Sequence, residues 1–226
     1  MIKNNPGKTE ISNSIQGLTC LIGNTPLFEI EFLYKGKPGK IYAKAEHLNM
    51  TGSIKDRMAL QIIREAYRKN LIKPGDRVIE ATSGNAGIAF AAVGRALGHP
   101  VTIFMPDWMS EERKNLIRSF GADIVLVSKE EGGFLGSINR TREMAASDPD
   151  SFLPDQFENE DNTMAHYTTT KSLLTLRHFQ TQKNWIVQSV FASHVHVNRT
   201  NVLAPFFCMR FPPKKDLAAG ANPTSL

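Results

Sequence analysis

The chain has 226 residues, 41% of them in the hydrophobic set and 22% charged, the composition of an ordinary soluble globular protein with enough apolar mass for a sizeable core. Its net charge of +5 lies in the tail: residues 1–170 hold 20 Lys+Arg against 21 Asp+Glu and residues 171–226 hold 7 against 1, a scattered basicity that argues against nucleic-acid recognition. Cys20 and Cys208 form neither a disulfide framework nor a zinc spacing, and without an apolar run of 18 residues or a secretory leader the expected location is the cytoplasm.

From residue 41 short apolar runs alternate with helical patterns, the order of a parallel sheet covered by helices. IYAKA (41–45) reads as its first strand. In TGSIKDRM (51–58) Ser53 is placed to cap a helix, with Asp56 three residues on to answer it, and Lys55 falls in the first turn. Ala59, Ile62, Ile63 and Ala66 give that helix one buried stripe, and it ends before Pro74-Gly75. RVIEA (77–81) is the second strand, TSGN a turn, and GIAFAAVGRAL a helix so apolar that it belongs between layers. VTIFM (101–105) is the third strand. Ser110, Glu111 and Glu112 open a helix that Gly121 stops. DIVLV (123–127) is the fourth strand, and a helix near 134–147 follows between loops at Gly132-Gly133 and Pro149. Three successive strand and helix units predict a doubly wound α/β domain with ligands beyond the carboxyl ends of its strands.

Two loops carry chemistry. In TSGNAG (82–87) small residues admit a ligand close to the backbone, and the helix behind offers unpaired N–H groups to an anion such as a carboxylate. The alternative is a structural turn with Ser83 or Asn85 as cap. Lys55 stands at the positive end of a helix, where a cation is disfavoured. Either its amine snorkels to water, or the positive potential favours the neutral form that attacks a carbonyl to make a Schiff base.

GSIKDR (52–57), TSGNAG (82–87), MPDWMSEERKNLIRSFGADIVLV (105–127) and DQFENEDN (155–162) together resemble the cysteine synthase and cystathionine β-synthase family. LIGNTPL (21–27) and AHYTTT (165–170) extend the likeness over residues 18–170. The resemblance implies a tryptophan-synthase-β-like α/β fold, three layers (α/β/α) around a parallel sheet, with pyridoxal 5'-phosphate as cofactor. It implies that Lys55 holds the cofactor and removes the substrate α-proton, and that Asn85 bonds the ring 3′-oxygen. Thr82, Ser83 and Gly84 would clasp the substrate carboxylate, joined by Gln156; Ala86 stands where the family usually has a carboxylate-binding Thr. The implied reaction is β-replacement, O-acetylserine and sulfide giving cysteine and acetate, in a homodimer. Cystathionine or diaminopropionate synthesis is a related alternative.

The likeness stops at Lys171, where the family continues with Gly-Pro-Glu-Ile and a glycine-rich phosphate loop. Here no glycine occurs from residue 171 until Gly220. EEGGFLGS (130–137) is the remaining Gly-rich stretch, and it sits elsewhere in the family. The expected organisation is the start of a large domain at 1–48, a small α/β domain at 49–162, and at 163–226 the return of an incomplete large domain followed by an aberrant or frame-shifted tail. On that reading Trp185, Phe206 and Phe207 add exposed apolar surface. His194 and His196 share a strand face but lack the third ligand of a metal site. A truncated, non-catalytic remnant that binds a carboxylate at 82–87 is the second functional reading.

Overall fold

A computed structural model describes residues 6–170 and 185–186, with side chains from residue 10 to 170. Residues 194, 196 and 206–208, to which histidine, phenylalanine and cysteine roles were assigned above, lie outside the described residues. The chain divides into two compact units, Met1–Pro26 with Ala45–His178, and Leu27–Lys44 with Phe179–Leu226.

The first unit opens with helix α1 (Pro6–Thr19), whose end places Leu18 in the core, with Ile22 just beyond. Helix α2 (Lys55–Arg68) follows, then strands β3 (Arg77–Ala81), β4 (Val101–Pro106), β5 (Asp123–Val127) and the two-residue β6 (Ser151–Phe152). They form one parallel sheet in the order β5-β4-β3-β6. Helices α3 (Asn85–Ala96), α4 (Glu111–Ser119) and α5 (Gly133–Ser147) make the crossovers. The chain then forms α6 (Glu160–Ala165), capped by the Asn159 side chain, and one π-helical turn over His166–Thr170.

Alternation along the strands separates the layers. Val78, Ile103 and Met105 pack with α2, α3 and α4 through Met58, Ile62, Ile63, Phe90 and Ile117. Their neighbours Ile79 and Phe104 pack on the other face with Val127 and with Met144 and Ala145 of α5. The sheet is thus covered on both faces, the three-layer α/β/α arrangement its unbroken apolar runs predict. Each fully buried side chain of this size contributes about 1.5–3 kcal/mol.

The second unit contains a hairpin of β1 (Leu27–Tyr34) and β2 (Lys37–Lys44), with β7 (Trp185–Ile186) parallel to β2. IYAKA therefore belongs to β2, antiparallel to β1 and outside the parallel sheet, contrary to the sequence expectation. The cause is the two-residue turn at Lys35 (φ 50) and Gly36 (φ 74), whose left-handed conformations close a hairpin. Gly39 is required there, because a Cβ would lie 2.6 Å from the Phe32 ring.

The expected cap forms at α2, although the regular helix is counted from Lys55: Ser53 Oγ accepts from the Lys55 amide at 3.1 Å, and Asp56 bonds the Ser53 backbone as well as Thr51. Two further expectations are corrected. The helix is buried at every position from Lys55 to Ile63, because both the sheet side and the segments around residues 23–25, 46–51 and 160–170 cover it, so its buried surface is wider than one stripe. Neither Ser83 nor Asn85 caps α3: Gly84 holds that position and no side chain bonds the first-turn amides.

Candidate active site at the carboxyl edge of the sheet

Lys55 is the first residue of α2. Its backbone N–H donates to Ser53 Oγ at 3.1 Å, while Asp56 accepts from the Thr51 amide at 2.6 Å and from the Thr51 hydroxyl. The turn that presents the lysine is thereby fixed. Its side chain is 8% exposed, and its amine has no hydrogen-bond or ion-pair partner among the described residues. Burial pushes the Lys55 pKa below the ordinary lysine value, because an ammonium loses more solvation than an amine.

Two residues on, Arg57 turns into a buried network. Its Nε donates to Glu46 Oε2 at 2.7 Å and its Nη2 to Glu46 Oε1 and Thr25 Oγ1, both at 2.9 Å. Asn49 donates to Glu46 and accepts from the Gly23 amide at 2.8 Å. Burial pushes the Glu46 carboxyl up, and the bonds from Arg57, Thr25 and Asn49 more than reverse it, leaving it below the usual carboxylate value. The segment carrying LIGNTPL is thus strapped to the base of the lysine turn.

The direction of α2 locates Lys55. At its other end the Tyr67 hydroxyl lies 2.7 Å from His99 Nε2, and His99 precedes β4 at the amino edge of the sheet. Lys55 is twelve residues back, roughly 18 Å of helix rise, which brings it to the carboxyl edge. TSGN leaves β3 at that same edge. Thr82 continues the ladder through its amide to Phe104 O at 3.0 Å, and its hydroxyl accepts from the Gly84 amide at 3.2 Å. Gly87 lets α3 start close behind, since a Cβ would stand 2.6 Å from Thr82 Cγ2. Ser83 and Asn85 are half-buried with side chains that take no partner among the described residues, and Ala86 is buried in the core. The uncapped first turn of α3 leaves N–H groups for an anion.

Gln156 arrives from beyond β6. Its Nε2 donates to Ala81 O at 3.3 Å, immediately before Thr82, so the structure brings Gln156 and residues 82–85 together. Sequence reading missed His166, which spacing alone could not link to Lys55. Burial, then the charges of Lys55 and Arg57, push its pKa down to about 4, so it is neutral at pH 7. EEGGFLGS is not a phosphate cup: the amides of Gly132, Gly133 and Gly136 are bound to Lys129, Ser128 and Gly132 carbonyls.

The model for pyridoxal-phosphate dependent enzymes matches residues 18–191. The chain belongs to this family. The pyridoxal-phosphate enzyme resembles cysteine synthase B of Escherichia coli at 46% identity over 149 residues, covering 66% of this chain and 48% of the relative. A hydrogen sulfide-producing enzyme of Fusobacterium nucleatum is 56% identical with a TM-score of 0.70, over 72% of this chain and 49% of that one. O-ureido-L-serine synthase is 38% identical with a TM-score of 0.62, over 70% and 49%. The chain spans about half the length of the curated relatives it matches. The buried, unpartnered Lys55 amine and the partner-free Asn85 amide fit the aldehyde and ring-oxygen end of the family's cofactor. No helix among the described residues is long and apolar enough to cross a membrane.

Proposed function

We propose that this chain carries the lysine and carboxylate-binding half of a cysteine-synthase-type β-replacement centre, which exchanges the acetate of an O-acetylserine-like substrate for sulfide. The supporting observation is the placement of a buried, unpartnered Lys55 amine at the same sheet edge as the open TSGN turn. Bound pyridoxal phosphate supplies an electron sink for charge developing at the substrate α-carbon. Lys55 would hold the cofactor's aldehyde end. Burial lowers its pKa and so favours the neutral amine, the form that can accept the α-proton. Asn85 would donate to the ring oxygen.

The amides of Ser83 and Asn85 at the α3 terminus would bind the substrate carboxylate, with the Gln156 amide group beside them. Ala86 offers no hydroxyl, so this cradle relies on backbone donors. The reaction is proposed for a cytoplasmic homodimer. Adding pyridoxal phosphate to the folded chain should produce visible absorbance that Lys55→Ala abolishes, and O-acetylserine with sulfide should yield cysteine. A folded chain that stays colourless would overturn the assignment. Colour without cysteine formation would direct the search to other second substrates.

A further inference from the structure

Glu80 is 2% exposed at the end of β3, one residue before the carbonyl that holds Gln156. Its Oε1 accepts from the Ala81 amide at 2.9 Å and its Oε2 from the Gln156 amide at 3.3 Å. Both partners are backbone donors, and they belong to the two segments that meet beside the TSGN turn. A carboxylate costs much to bury without a cation, and no basic side chain among the described residues pairs with this one. A neutral glutamine could not do the same work, because its NH2 group would confront one of the two N–H donors.

The geometry of Gln156 shows what the carboxylate secures. A carbonyl oxygen can only accept, so the Gln156 atom at Ala81 O is the NH2 nitrogen, and one of its two hydrogens is used there. The Gln156 side chain also bonds the Glu80 carboxyl. The Gln156 backbone carbonyl accepts from Asn162 Nδ2 at 2.9 Å, and Asp155 beside it sits at φ 44, a left-handed conformation rare outside glycine. This short, strained segment is joined to the sheet through Glu80 and Ala81.

We propose that Glu80 is a positioning residue that ties the Gln156 loop, through backbone and side chain, to the end of β3 and so fixes the Gln156 amide beside a carboxylate bound on residues 82–85. The second half of this statement rests on the carboxylate reading given above; the tie itself does not. The charged group that acts on Glu80 from the facing loop is Asp155, which is paired with Arg142 at 3.2 Å. Burial, opposed by the Ala81 and Gln156 bonds, pushes the Glu80 pKa up to about 8, so the carboxylate that accepts both backbone bonds is the form that prevails above that pH.

The test uses the full chain, labelled for amide NMR, with acetate as the carboxylate probe. In the wild type the Gln156 and Ala81 amide shifts should titrate together near pH 8. Glu80→Gln should abolish that titration, lower hydrogen-exchange protection at Gln156 by about tenfold or more, and weaken acetate binding at residues 82–85 by a similar factor. Amide shifts of α4 and β5 serve as the folding control, and Glu80→Asp, if Glu80→Gln does not fold, should restore a titration at reduced protection. A Gln156 amide indifferent to both variants overturns the tie. A lost tie with unchanged acetate affinity overturns the positioning role. Failure of the wild type itself to bind acetate, with the tie intact, would remove the carboxylate reading and leave the tie upheld.

Discussion

Glu46 and Arg57 form a two-pronged ion pair, 2.7 Å at its closest, with side chains 6% and 1% exposed. Removing one member strands the other as a buried charge, and Arg57 Nη1 already lacks a partner. Glu46→Ala should therefore cost about 3–5 kcal/mol by urea denaturation, and Arg57→Ala a similar amount. The Glu46 carboxyl lies below its ordinary value, so its stabilisation is present above pH 4.5 and is lost as pH falls through the folded value. A loss under 1 kcal/mol would show that the strap to residues 23–25 is unimportant.

Lys55 has the opposite balance. Nothing among the described residues pairs with its ammonium, so holding it buried works against folding. Lys55→Met should leave the chain more stable at pH 7, by about 1 kcal/mol, while abolishing cofactor binding. The folded pKa is depressed, so the wild type regains stability as pH rises toward the ordinary lysine value, and the gap between the two proteins should close there. A methionine variant less stable than the wild type at pH 7 would mean that the amine has a stabilising partner.

These two residues also show what the sequence could reveal. Strands β3, β4 and β5 were legible almost to the residue, because they are short apolar runs between turn signals, VTIFM being buried at every position by layers on both sides. IYAKA carries the same signal, and only the Lys35-Gly36 turn assigns it to a hairpin. Lys55 was legible as an ill-placed cation. The partners that make its turn rigid were not, since Glu46 and Arg57 meet across 11 residues and Glu80 meets Gln156 across 76. Asp56 answers the cap at Ser53 as its spacing predicts, and it also closes on Thr51, which the spacing did not reveal. Family resemblance marked residues 82–85 and Gln156, but not the carboxylate that links them.

His99 gives a pH prediction away from the active edge. Its Nδ1 lies 2.7 Å from Asp76 O, which can only accept, so that nitrogen carries the proton and Nε2 accepts from Tyr67. Burial pushes the His99 pKa below the usual histidine value, and the Asp76 contacts oppose it without reversing it. The unfolded chain thus takes up the proton first. Stability is full above about pH 6.5 and declines as pH falls, with His166 adding to the decline down to about pH 4. Tyr67→Phe should cost about 1–3 kcal/mol at pH 7 by leaving Nε2 buried and unpaired. Equal stability of the wild type at pH 7 and pH 5 would contradict the neutral assignment.

Gly87 supplies the last prediction, and it separates packing from propensity. An alanine there should favour the helix by about 0.5–1 kcal/mol on backbone grounds alone. Its Cβ would instead stand 2.6 Å from Thr82 Cγ2, 3.2 Å from Ile103 Cγ2 and 3.3 Å from Ile117 Cδ1. Thr82 is stiff at χ1, and its hydroxyl holds the Gly84 amide, so it cannot yield without opening the turn. Gly87→Ala should therefore cost about 1–3 kcal/mol and weaken carboxylate binding at residues 82–85. Gly17→Ala, in α1 with nothing within 4 Å of the added methyl, should stabilise and leave binding unchanged. If both variants stabilise alike, the first turn of α3 has room to spare and its closeness to Thr82 does not shape the cradle.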